Sequence, residues 1–180
     1  MGSASRTVTI SLVLIVGLQA CSFGGTADVP DTWTTIAQDS FEVSVPPDWT
    51  LRGNQPGRVD VVGTAEEDGV PEGLQVQVGP VSGDLELAAF GVIEQFKLTV
   101  AEDYEELDQR RIDVAGADEA ILVDATFVDA ADTPRDRQWD VFATTDGAEQ
   151  LVYLSLKAPQ SVFDDGRMEQ ILRTLVVTDL

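Results

Sequence analysis

The 180-residue chain has no histidine, and that absence removes more chemistry than any other feature of its composition. Without imidazole there is no side chain whose ordinary pKa lies near neutrality to act as a general base, and the commonest zinc ligand is missing. Cysteine is nearly absent too. The single thiol, Cys21, cannot form a disulfide within the chain, so the fold must be held by its core. Cations are scarce: 11 Lys and Arg stand against 32 Asp and Glu, a net charge of −21 at pH 7. Phosphate backbones are bound by clustered cations. Arg110-Arg111 and Arg135 with Arg137 are small islands in an acidic background, which excludes nucleic acid as a partner. Also lacking is any apolar run of the roughly 20 residues that a membrane-crossing helix needs.

What is present begins with an address. An apolar stretch from Val8 to Leu18 follows Met1 to Thr7, whose one charge is Arg6, and it has the length of a secretory h-region. Leu18-Gln19-Ala20-Cys21 closes it, with an apolar residue three positions before the cysteine and a small one directly before it. The motif resembles the bacterial lipobox, and the resemblance implies cleavage after Ala20 and acylation of the Cys21 sulfur. An ordinary secretory signal with an incidental cysteine is the alternative. The expected organisation is a signal peptide over 1–20, a flexible tether over 21–32 containing Gly24, Gly25 and Pro30, and one domain over 33–180. That last span is an ordinary single-domain size, able to bury roughly two thirds of its unfolded surface.

Within this span most segments alternate with period two. Phe41, Val43 and Val45 point one way and Glu42 and Ser44 the other, until Pro46-Pro47-Asp48 stops the ladder. Strands are predicted at Trp49 and Leu51, at Val59 to Gly63, at Leu74 to Val78, and then at about 105–114, 119–128, 137–145 and 150–157. Two helices interrupt them. Asp84 caps the first, which runs to about Ala101 with Leu85, Ala88, Ala89, Val92, Phe96 and Val100 as its apolar stripe. Ser161 is predicted to cap the second, with Asp164 three residues on, and with Phe163, Ile171, Leu172 and Leu175 facing inward. The predicted class is α+β: a mostly antiparallel sheet of six to eight strands with one long and one C-terminal helix packed on it.

The strand ending Val45-Pro46-Pro47-Asp48-Trp49, the helix after Gly79-Pro80 and the closing helix together resemble the actinobacterial LpqN-type lipoproteins of the Mog1/PsbP-like fold. The resemblance implies an α/β/α sandwich and a non-enzymatic protein of the cell envelope, without a cofactor. The residues agree in offering no catalytic set. The two lysines are Lys97 and Lys157, and Ser155 with Lys157 is a common same-face strand pair. Asp129, Asp132 and Asp136 gather hard oxygen ligands about one loop, yet lack the alternating spacing of an EF-hand, and Arg135 and Arg137 would neutralise the same loop. Trp49 and Trp139 are the candidate interaction anchors should either emerge beside a groove. Two functions follow: a tethered adaptor for another envelope protein, or a carrier holding a small apolar ligand in a cavity lined by Phe90, Phe96, Phe127 and Leu154. A calcium-dependent or carboxylate-based enzyme is the third. Replacing Cys21 by Ala is expected to move the protein from the membrane to the soluble fraction on cell fractionation; undiminished membrane retention would refute the acyl anchor.

Overall fold

The structure, a computed structural model, describes residues 29–63, 71–81, 83–129, 134–145 and 150–178. The lipobox-like residues Leu18, Gln19, Ala20 and Cys21 lie outside these, as does Asp132. Among the described residues ten strands and two helices run in the order β1 (Thr34–Gln38), β2 (Phe41–Val45), β3 (Thr50–Gln55), β4 (Arg58–Val62), β5 (Gly73–Pro80), α1 (Leu85–Thr99), β6 (Glu102–Arg111), β7 (Glu119–Val128), β8 (Asp136–Thr144), β9 (Gln150–Pro159), α2 (Asp165–Leu172) and β10 (Val176–Val177).

Seven strands form one antiparallel sheet in the order β3-β4-β5-β9-β8-β7-β6, and β1-β2-β10 form a second, smaller one. The α+β class and the strand number expected for the main sheet are those observed. The smaller sheet is additional, because β1 buries just Ile36 along its length and β10 has two residues, so neither carries a usable alternation.

The large sheet has two faces, and both are covered. On one side Val59, Val61, Leu74, Val76, Leu122, Val141, Leu154 and Leu156 meet Phe41, Val43 and Val45 of the small sheet and Met168, Ile171 and Leu172 of α2. On the other, Ile121, Val123, Phe142 and Leu151 meet Leu85, Ala89 and Ile93 of α1. The layers are therefore α1, large sheet, then α2 with the small sheet. Burying each of these larger side chains stabilises by about 1.5–3 kcal/mol, whereas exposed ion pairs such as Arg111 with Glu86 and Glu119 are screened by water and contribute little. The core decides the fold, and among the described residues no helix is long and apolar enough to cross a membrane.

Local departures from the sequence expectations have local causes. Asp164, rather than Ser161, caps α2: its carboxylate accepts from the amides of Gly166 at 3.0 Å and Arg167 at 3.2 Å. Ser161 instead sits in a turn closed by the Val162 amide donating to the Pro159 carbonyl at 3.0 Å. Strand β6 begins and ends three residues early, at Glu102 and Arg111; it is an edge strand with two bulges and mostly exposed side chains, so apolar periodicity does not mark it. On α1 the buried stripe is Leu85, Ala89 and Ile93; Val100 is exposed beyond the helix end.

The C-terminal strand is pinned at Gly116. Its φ of +78° belongs to the left-handed region, and a Cβ there would stand 1.8 Å from the Val177 carbonyl oxygen. The Val177 amide in turn donates to the Ala115 carbonyl at 2.8 Å. Gly116→Ala combines a strained backbone with a backbone clash, and is expected to destabilise by more than about 2 kcal/mol in denaturant unfolding; an unchanged midpoint would contradict this placement of β10.

Candidate functional site

A polar row crosses the α1 side of the large sheet. Asp60 lies opposite Gln75, Gln75 opposite Ser155, and Ser155 opposite Asp140 on four successive strands, β4, β5, β9 and β8. Gln77 opposite Tyr153 and Lys157 opposite Gln138 flank it. Buried strand positions are ordinarily apolar, so the buried end of the row, Ser155 and Asp140, marks a place where the chain serves something besides packing.

Its inner end is Asp140, fully buried. Gln138 Nε2 donates to both carboxylate oxygens at 2.8 Å, the Tyr153 hydroxyl donates at 2.8 Å, and Ser155 supplies a further hydrogen bond. Among the described residues no cation pairs with it. Burial pushes the Asp140 carboxyl up to about 6, against the opposing effect of those hydrogen bonds. The same burial, reinforced by the Asp140 charge, raises the phenols of Tyr153 and Tyr104 above their ordinary range. At the outer end, Asp60 accepts from Arg58 at 3.1 Å and from Gln75 at 2.6 Å; these bonds outweigh its partial burial and hold its carboxyl below the usual value.

Above this row the sheet is only partly roofed. Helix α1 packs on β7 and β8, and a groove of about 660 Å³ opens between its C-terminal half and β4, β5 and β9. Val92, Gln95, Phe96 and Thr99 form the helix wall; Gln75, Gln77, Tyr153, Ser155 and Lys157 form the floor. The floor's donors are turned inward, toward Asp140 from Gln138, Tyr153 and Ser155, and toward Asp60 and Gln75 from Gln75 and Gln77. A second hollow, near Gln38, Asn54 and Gly57, is occupied with tying the sheets together: Gln38 donates to Asn54 and Gln55 and accepts from the Gly57 amide.

The residues singled out from sequence distribute unevenly around this site. Trp49 and Trp139 are core residues, 7% and 5% exposed, so neither is a surface anchor. Arg167 stacks over Trp49 and Arg137 over Trp139 from the opposite side of the sheet. The proposed apolar cavity does not form. Phe96 and Phe127 touch edge-on at 4.8 Å, but Leu154 belongs to the other face and Phe90 is 61% exposed. Asp129 and Asp136 converge on the Lys157 ammonium at 3.6 and 3.2 Å, so these two carboxylates hold a lysine. Arg135 and Arg137 are engaged elsewhere, by Asp103 and by Asp124 with Asp165. Ser155 and Lys157 do share a face, but one is held by Asp140 and the other by Asp136. Sequence reasoning missed Asp140. Its signal was the spacing of Gln138, Asp140 and Phe142, which puts two polar side chains in line with a core phenylalanine.

Because the Asp140 carboxyl is raised relative to the unfolded chain, its ionisation opposes folding: its contribution is most favourable below about pH 4 and is lost as pH rises through about 6. The stability of the parent minus that of Asp140→Asn is expected to fall by about 2 kcal/mol between pH 4 and pH 7 in urea unfolding. A difference independent of pH would show that the carboxylate is solvated.

Neither a protein-family model nor a curated protein sequence matches the chain. Solved structures do. The Ran-binding protein Mog1p of Saccharomyces cerevisiae superposes with a TM-score of 0.59 at 12% identity, covering 82% of this chain and 96% of that one. PA94 of Pseudomonas aeruginosa, described as a putative regulator of unknown function, gives 0.55 at 12% identity, covering 82% and 99%. LpqN of Mycobacterium tuberculosis, involved in cell envelope biogenesis, gives 0.55 at 16%, covering 82% and 91%. At these identities the likeness is one of architecture: the chain has the fold shared by Mog1 and LpqN.

Proposed function

We propose that this is a non-enzymatic binding domain, residues 33–180, held outside the cytoplasm by an acylated Cys21 and a tether over 21–32, where it serves as an adaptor for another envelope protein. The observation that carries the reading is the groove beside α1, open to solvent while the reactive groups of its floor are committed inward. Ser155 is bonded to Asp140, Lys157 to Asp136 and Asp129, and Gln75 to Asp60. A nucleophile needs an adjacent base free to take its proton, and this floor offers a fixed surface for contact. The architecture supports the same reading, since one protein sharing it is a Ran-binding protein and another is involved in cell envelope biogenesis. Two acyl chains would make attachment effectively permanent, and the acidic surface would keep the domain clear of anionic headgroups.

A photocrosslinking side chain in place of Thr99, on the groove wall, tests this in the native host. The expected result is one reproducible protein adduct that a probe in place of Glu42, exposed on the opposite layer, does not give. Adducts confined to lipid, or turnover of a compound by the purified protein, would overturn it.

A further inference from the structure

Helix α1 is apolar on two faces. Leu85, Ala89 and Ile93 point into the sheet and are buried. At 100° per residue, Leu87, Phe90, Gly91, Glu94 and Leu98 fall together on the opposite side, and their apolar members are strongly exposed: Leu87 66%, Phe90 61% and Leu98 84%. The row is about 16 Å long at 1.5 Å per residue. Scattered single exposed apolar residues need no account, but three large ones gathered on one helix face, with Glu94 set between Phe90 and Leu98, mark a contact surface. An apolar helix face is ordinarily buried, and here the chain supplies a cover for one of the two.

Gly91 is a second, independent observation. Glycine inside a helix is unfavourable relative to alanine, and a Cβ at this position would meet nothing within 4 Å. The chain's own packing does not require the glycine. It leaves a notch in the exposed ridge, between Phe90 and Leu98, where a partner backbone can approach closely.

The border of the ridge is acidic. Contacts of Glu86 with Arg111 and of Phe96 and Lys97 with Tyr104 set α1 alongside the edge strand β6. Glu106, exposed and paired with Ala125, is the acid of that strand on the α1 side of the sheet, and Glu86 and Glu94 rise from the helix itself. The nearby cations are already paired, Lys97 with Glu94 and Arg111 with Glu86 and Glu119. A second copy would bring the same acids against these, as would an anionic bilayer.

Resting on the adaptor reading, the geometry points to the outward face of α1 as the docking surface for an amphipathic helix of a partner protein, whose apolar ridge is flanked by Lys and Arg. The partner's apolar side chains lie against Leu87, Phe90 and Leu98, and its cations face Glu86, Glu94 and Glu106.

The purified protein titrated with a synthetic 18-residue helix carrying a Leu and Phe ridge between lysines tests this, with a twin in which every Lys is Glu. The lysine peptide is expected to shift the amide resonances of α1 and to lose at least tenfold in affinity when Leu87, Phe90 and Leu98 are all changed to Ser. The glutamate twin should bind at least tenfold more weakly. Gly91→Ala should raise the melting temperature by about 2–4 °C yet weaken the peptide, an opposition that a purely structural role does not produce. Shifts centred elsewhere, equal binding of the two peptides, or self-association of the free protein abolished by the triple variant would each overturn the proposal. In the native host, a triple variant that keeps the Thr99 adduct refutes this surface while the adaptor reading stands; no adduct from the parent refutes the reading itself.

Discussion

The register of the four strands β5, β9, β8 and β7 is the constraint on which the rest of the molecule depends. Side chains alternate with period two, so a one-residue slip in any of these ladders would exchange its two faces. In the register observed, Leu74, Val76, Leu154, Leu156 and Val141 go to the layer of α2 and the small sheet. Gln75, Ser155 and Asp140 go to the side of α1. Slipped, the polar row would enter the larger core and leave carboxylate and amide groups without their partners, at a cost of roughly 1–3 kcal/mol for each unsatisfied group. The packing of the apolar face and the hydrogen bonding of the polar face therefore select the same alignment.

That alignment also explains why the site looks as it does. A carboxylate buried with no cation beside it among the described residues is tolerated because Gln138, Tyr153 and Ser155 all donate to it. Those donations fix the three side chains, and all three line the groove. The groove exists because α1 has 15 residues and packs on β7 and β8, leaving its C-terminal half to overhang β9, β5 and β4. A rigid floor, an open roof and a helix with an uncovered apolar face make a surface suited to holding another molecule in place.

Much of this architecture was legible in the residues. Strands with one polar and one apolar face, such as Phe41–Val45 and Leu74–Val78, announce themselves by alternation, and the Asp84 cap announces α1. The edge strand β6 was harder, because exposed acids carry no period and its bulges break the count. The cap of α2 was misplaced because Ser161 and Asp164 are both good capping residues, and the turn after β9 decides between them. The site was the least legible part. The indoles Trp49 and Trp139 drew attention by residue type and are packing residues, while Asp140 and the glutamines acquire their meaning from which strand lies beside which. On helix α1 the inner face was legible, since Leu85 and Ala89 are buried and Ala88 and Val92 pack against the core, while the exposed row through Leu87, Phe90 and Leu98 stands out only once the sheet is placed.

The claim that most of the account rests on is that Asp140 lies dry beneath α1 in this register. A carbon-detected NMR titration of the Asp140 carboxyl measures it directly. The account predicts a midpoint near 6, raised by burial from the ordinary 3.8. A midpoint at the ordinary value would mean that water reaches the carboxylate, and that the polar row is not packed beneath α1.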